Sequence, residues 1–180
     1  MFPIDVVNQC KANNRKAQLQ LYEQYCNGMF HVALRFVGNT DDAEDVMQES
    51  FIKAFEKIHQ FKGEVTFGAW LKRIVINKSI DFIKSRKEVL VALNENHIYM
   101  VEDEDWSVEN EVTVEEVKSA ITMLPEKYKF VVMMYLLEGY DHGEIAQVLD
   151  LTENTCRTRL LRGKGYLREL LKNKVYGTRS

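Results

Sequence analysis

The chain has 180 residues, two prolines, nine glycines and 46% hydrophobic residues, enough apolar material to pack a core in every segment, which excludes a disordered chain. No run approaches the roughly 18 apolar residues of a membrane span, and the opening MFPIDVVNQCKANN lacks the layout of a secretory signal, so a cytoplasmic location is expected. The formal net charge of −3 hides a segregation: residues 53–87 carry nine bases and three acids, 88–117 ten acids and no base, and 153–180 eight bases and two acids.

No stretch alternates in the manner of a strand, and the expectation is an all-α protein of two small helical domains joined by an acidic linker. Residues 4–14 form a short helical segment at most. From Arg15 to Val37 apolar residues recur at helical spacing (Leu19, Tyr22, Tyr25 or Cys26, Met29 or Phe30, Ala33, Phe36), and Gly38-Asn39 ends the run. Thr40 or Asp41 can cap the next helix, whose first turn is acidic, as the helix dipole favours. Its inward stripe reads Ala43, Met47, Ser50 or Phe51, Ala54 and Ile58, while Asp45, Gln48, Glu49, Ile52 and Glu56 fall on other faces. Such an acid-rich face is ordinarily just solvated; the alternative is a docking face for a partner.

Gly63 breaks this helix and opens a loop from Lys62 to Val65, after which Thr66 can cap a third helix running to about Glu88. Trp70, Leu71, Ile74, Val75, Ser79 or Phe82 and Ile83 are its expected buried side. The stretch FKGEVTFGAWLKRIVINKSIDFIKSRK, residues 61–87, sets aromatic rings at Phe61, Phe67, Trp70 and Phe82 among seven cations, with only Glu64 and Asp81 opposing. Cations neutralise phosphates and ring faces accept unstacked bases, so the mixture suits a surface that holds part of a duplex single-stranded. The plainer alternative is an amphipathic helix with core rings and solvated lysines.

Residues 91–111 have no sustained period and read as the acidic linker, a solvated connector or a segment able to shield basic faces. Helical spacing resumes with Val114, Val117, Ile121 and Leu124. Pro125 opens a further helix, crowded with Val131, Val132, Met134, Tyr135 and Leu136 and ended by Gly139. Then comes a short helix with Ile145, Ala146 and Leu149 inward, the turn Asp150-Leu151-Thr152, and a long basic helix capped by Thr152. Cys156, Leu160, Gly163, Leu167 and Leu171 share one side of it, and Asn154, Arg157, Thr158, Leu161 and Arg162 the other. Those are residue types that read base edges or hold phosphates, and the layout is that of a helix-turn-helix. Gly163 and Gly165 cost up to about 1 kcal/mol each relative to alanine and suggest a less rigid helix beyond Arg162. Cys10, Cys26 and Cys156 are odd in number and far apart, which argues against a disulfide framework or zinc site; each is expected to be a small buried residue.

Two separated blocks resemble one family. DDAEDVMQESFIKAF followed by residues 61–87 resembles the second conserved region of bacterial sigma factors, and LPEKYKFVVMMYLLEGYDHGEIAQVLDLTENTCRTRLLRGK the fourth. The short gap between them resembles the extracytoplasmic-function (ECF) group of the sigma-seventy family. The resemblance implies a region-two-like domain over residues 1–90, a linker over 91–111 and a region-four-like domain over 112–180. It implies a transcription initiation factor that binds core RNA polymerase, recognises promoter DNA and starts strand separation, serving a stress or envelope-signal regulon, without enzymatic activity or cofactor and with an anti-sigma factor as further partner. Asp45, Gln48 and Glu49 would dock on polymerase. Phe61, Lys62, Phe67, Trp70, Arg73, Ile74 and Asn77 would meet the minus-ten element, Asn77 recognising a flipped base through its amide. Lys78, Lys84, Arg86 and Lys87 would hold phosphates, and Asn154, Arg157, Thr158, Leu161 and Arg162 the minus-thirty-five element.

His142-Gly143 departs from the aromatic-acidic pair usual in that family before Glu144-Ile145-Ala146, and Cys156 replaces a usual valine. Rival readings fare worse. Gly163-Lys164-Gly165 lacks the glycines of a phosphate loop, His31, His59 and His97 share no ligand spacing, and an ordinary helix-turn-helix regulator has no use for Phe61–Asn77.

Overall fold

The computed structural model describes residues 4–88 and 112–177; the expected linker lies outside them. The chain divides into two compact units, Met1–Leu93 and Asn94–Ser180, and the described residues are helical throughout apart from turns and loops. Among them, no helix is long and apolar enough to cross a membrane.

In the first unit α1 (Ile4–Lys11), α2 (Arg15–Val37), α3 (Thr40–Glu56) and α4 (Phe67–Glu88) surround one core, with α2, α3 and α4 packed pairwise. The Asn14 side chain caps α2 by accepting from the Lys16 and Ala17 N–H groups, and Gly38 ends it at φ +75, a conformation that favours glycine. α3 is capped by Asn39, which accepts from the Asp42 N–H, rather than by Thr40 or Asp41: the amide side chain one residue earlier reaches the same orphan donors.

Three expected features shift. The inward stripe of α2 is Ala17, Leu21, Met29, Val32, Ala33 and Phe36, and Leu19 is exposed, because the stripe follows its four-residue steps from Ala17. α3 stops at Glu56, before Gly63, and a 3-10 turn at Ile58–Gln60 folds Ile58 back into the core. On α4 the buried side is Phe67, Leu71, Val75, Ile76, Ser79 and Ile80, whereas Trp70, Ile74, Phe82 and Ile83 are only half-buried. Apolar residues lie almost all round α4, so its periodicity admits two phases; the observed one buries Ser79, whose hydroxyl donates to the Val75 carbonyl (2.8 Å), as Ser50 on α3 donates to that of Val46 (2.6 Å). Both hydroxyls are thereby satisfied inside the core.

The second unit holds α5 (Val114–Thr122), α6 (Glu126–Leu136), α7 (His142–Leu149) and α8 (Glu153–Gly177). Its core is Ile121, Leu124, Tyr128, Val131–Met134, Ile145, Cys156, Leu160 and Leu167, with Leu136 at the surface. α8 runs unbroken through Gly163 and Gly165. A Cβ on Gly163 would stand 2.4 Å from Val132 Cγ2 and 3.2 Å from Tyr128 Cβ, so the absent side chain is what lets α8 cross α6 closely. The packing offsets the propensity cost.

Candidate nucleic-acid interface

The basic stretch of the first unit is built around a fixed aromatic cluster. Phe61, Phe67 and Trp70 pack ring to ring with centroids 5.5–5.7 Å apart, and Tyr25 of α2 joins at 5.6 Å from Phe67. Phe61 and Phe67 are buried in this cluster, and the surface they keep faces the cleft under the following loop. Tyr25, which the sequence reading gave no role here, also lies 2.8 Å from where a Gly68 Cβ would be, so α4 starts flush against α2.

From this base the loop 62–66 projects, with Lys62, Gly63, Glu64, Val65 and Thr66 all exposed. Gly63 turns it at φ +80. Its far end is pinned by Thr66, which caps α4 by accepting from the Ala69 N–H (3.2 Å). Under the loop lies a cleft of about 880 Å³ lined by Val7, Tyr25, Phe61, Phe67, Gly68 and Lys72 together with loop residues.

Beyond the loop, Trp70, Arg73, Ile74, Asn77 and Lys84 fall on the outward side of α4, opposite Val75, Ser79 and Ile80. Asn77 is half-buried, with Trp70 and Ile74; Arg73 and Lys84 are exposed. Asn77 does not line the cleft. The expected phosphate-holding cations are not all equivalent. Lys78 is ion-paired with Glu49 of α3, and Arg86 grips Asp42 in a two-pronged pair, Nη1 donating to Oδ2 (2.7 Å) and Nη2 to Oδ1 (2.9 Å). Arg86 also lies over the Phe82 ring at 4.6 Å. The Lys87 side chain lies outside the described residues.

On α3, Asp45, Gln48, Glu49 and Ile52 are exposed together, Ile52 at 60%. Gln48 Nε2 donates to Glu44 Oε1 (3.2 Å). The face is thus polar and acidic around one large aliphatic group, a combination suited to a protein partner.

In the second unit α7 opens with a reciprocal cap. Asp141 accepts from the Glu144 N–H (2.8 Å) and Glu144 from the Asp141 N–H (3.0 Å). Asp150 closes it at φ +57, and the Leu151 N–H donates to the Ala146 carbonyl. Thr152 then accepts from the Thr155 N–H (3.1 Å) to start α8. Two helices with a three-residue turn between them follow, as a helix-turn-helix needs. Asn154, Arg157 and Thr158 are exposed on α8; Leu161 and Arg162 are half-buried at the edge of that face. Arg157 rests against Glu153 (3.5 Å) and Thr158 donates to the Asn154 carbonyl (2.9 Å), both within reach of solvent and readily exchanged.

Family models match both helical units. The model of Sigma-70 region 2 matches residues 21–89 and that of Sigma-70, region 4 matches residues 114–167. The ECF RNA polymerase sigma-E factor of Haemophilus influenzae is 30% identical over 181 residues, covering 94% of this chain and 93% of its own. The ECF RNA polymerase sigma factor SigW of Bacillus subtilis is 30% identical over 179 residues, covering 93% and 95%. Among solved structures, the sigma factor RpoE in complex with the anti-sigma factor NepR from Bartonella quintana is similar in fold, with a TM-score of 0.58, 21% identity, and 85% and 95% of the two chains covered. CnrH, solved in complex with the cytosolic domain of CnrY, has a TM-score of 0.56 at 23% identity, covering 93% and 95%.

Proposed function

The chain belongs to the ECF group of the sigma-70 family, which makes it a transcription initiation factor, and from that premise we propose how its residues divide the work. α3 docks on core RNA polymerase through Asp45, Gln48 and Glu49, with Ile52 at the centre of the contact. The loop 62–66 and the outward side of α4 meet the minus-ten element. Asn77 reads a base drawn out of the duplex, beside Trp70, Arg73 and Ile74, and Lys62, Lys78, Lys84, Arg86 and Lys87 neutralise phosphates. α8 lies in the major groove of the minus-thirty-five element, with Asn154, Arg157, Thr158, Leu161 and Arg162 toward the bases and backbone. The region-two-like domain covers residues 1–90 and the region-four-like domain 112–180, with 91–111 as linker. The factor acts in the cytoplasm on a stress or envelope-signal regulon, held when idle by an anti-sigma factor.

The observation that supports this reading most is Asn77, an amide side chain left half-exposed on the α4 face that also carries Trp70, Arg73 and Ile74. An amide can donate and accept at a base edge at once, and a helix built only for packing has no need of one there. The test is transcription in vitro from genomic fragments with core polymerase, with start sites sequenced, followed by Asn77→Ala on a recovered promoter. The variant is expected to bind core polymerase as the wild type does and to lose promoter melting. Equal permanganate reactivity in the two open complexes would remove Asn77 from the base-reading role.

A further inference from the structure

The family-model match begins at residue 21, and α1 lies ahead of it. α1 is nonetheless anchored in the first unit by Val7 and Cys10, both buried, and it touches the 3-10 turn that leads into the recognition loop. At its last residue the half-buried Lys11 sends its ammonium to the carbonyl oxygen of Phe61, at 2.9 Å. Phe61 is the residue from which the loop departs. Its N–H is held by the Ile58 carbonyl (3.1 Å) and its ring by Phe67 and Trp70. The Lys11 bond holds the backbone of this post from a distant element, as Thr66 holds the opposite post from within α4. Val7, one turn earlier on α1, lines the cleft under the loop.

We propose that α1 is a strut for the recognition loop and that Lys11 is a positioning residue for promoter opening. A charge-assisted hydrogen bond to a partly buried carbonyl is stronger than a neutral one, and it holds the Phe61 end of a glycine-containing loop that meets the melted strand. Lys11 touches no DNA; it sets where Lys62 to Val65 stand. This rests on the reading that the loop and α4 meet the minus-ten element.

The experiment uses the full chain with core polymerase on a promoter recovered by the transcription screen. Lys11→Met keeps the aliphatic stem and removes the donor; Lys11→Arg restores a cation. For Lys11→Met we expect open complexes to form about five- to tenfold more slowly, part of what one charged hydrogen bond contributes. Core-polymerase affinity should stay unchanged with every protein assayed well below its Tm, the defect should vanish on a template already melted over the minus-ten element, and Lys11→Arg should recover most of the rate. Wild-type opening by Lys11→Met, an equal defect on the pre-melted template, or no recovery with Lys11→Arg would overturn the strut. Asn77→Ala run alongside separates the two levels: if it too opens the promoter normally, the minus-ten reading fails; if it alone is defective, only the strut does.

Discussion

Cys10 and Cys156 are fully removed from water, and burial pushes both thiols above the ordinary range; at Cys156 the nearby Arg159 works against that rise and Glu153 adds to it. A thiol that holds its proton more tightly folded than unfolded contributes stability that is complete below the unfolded value, about 8.5, and is lost as pH rises through the folded one. Tm should therefore be insensitive to these two groups up to about pH 8.5 and fall above it, and Cys156→Val should make that fall shallower. Cys26 is the exception to the expected burial: it is half-exposed, its thiol only 3.7 Å from the Glu23 carbonyl. Titrating the native protein with a thiol reagent should accordingly show one fast cysteine and two slow ones, and three equal rates would contradict the packing. Residue identity alone could not separate these cases. It could not show how deeply Phe67 is buried either, because the Tyr25 ring packed on it comes from a different helix. The exposure of Lys62, Arg73 and Lys84 was legible, since cations are rarely buried.

At the scale of elements, periodicity and punctuation carried the reading a long way. The starts of α2, α4 and α8 follow from Arg15, Thr66 and Thr152, and the turn Asp150-Leu151-Thr152 was visible as such. What it missed was decided by packing between helices. Gly163 looked like a weak point because helix propensity counts only the chain's own freedom; its value lies in Val132, on another helix. Val132 is wholly buried and stiff at χ1, so it cannot swing aside for a new methyl group. Gly163→Ala should therefore destabilise the protein by about 1–3 kcal/mol, as overpacking does, despite a better propensity. Pairing it with Val132→Ala should cost less than the two changes summed, since the second opens the room the first needs. Urea denaturation of the four proteins gives the coupling, and strict additivity would mean that the close approach at this crossing has no energetic weight.

Across the whole molecule the informative quantity is where charge is committed. Residues 53–87 carry nine bases, but Lys78 and Arg86 are already paired with Glu49 and Asp42 on α3. The two pairs differ. Lys78 meets a largely exposed Glu49, whereas the Asp42 side chain is only 15% exposed and takes Arg86 with both oxygens. An exposed single contact is worth little and gives way to a phosphate, while a two-pronged guanidinium pair is geometrically held. Counting lysines and arginines in the sequence therefore overstates the phosphates this surface neutralises before any rearrangement. Promoter affinity of the holoenzyme falls with salt in proportion to the phosphates neutralised, with a slope of about 0.9 per contact on a log–log plot. Asp42→Ala releases Arg86 and should steepen that slope relative to the wild type by up to about 0.9. Filter binding or fluorescence anisotropy over a salt series measures both slopes. A slope unaltered by Asp42→Ala would place Arg86 away from the DNA, and its pairing with α3 would then be purely a clasp between two helices.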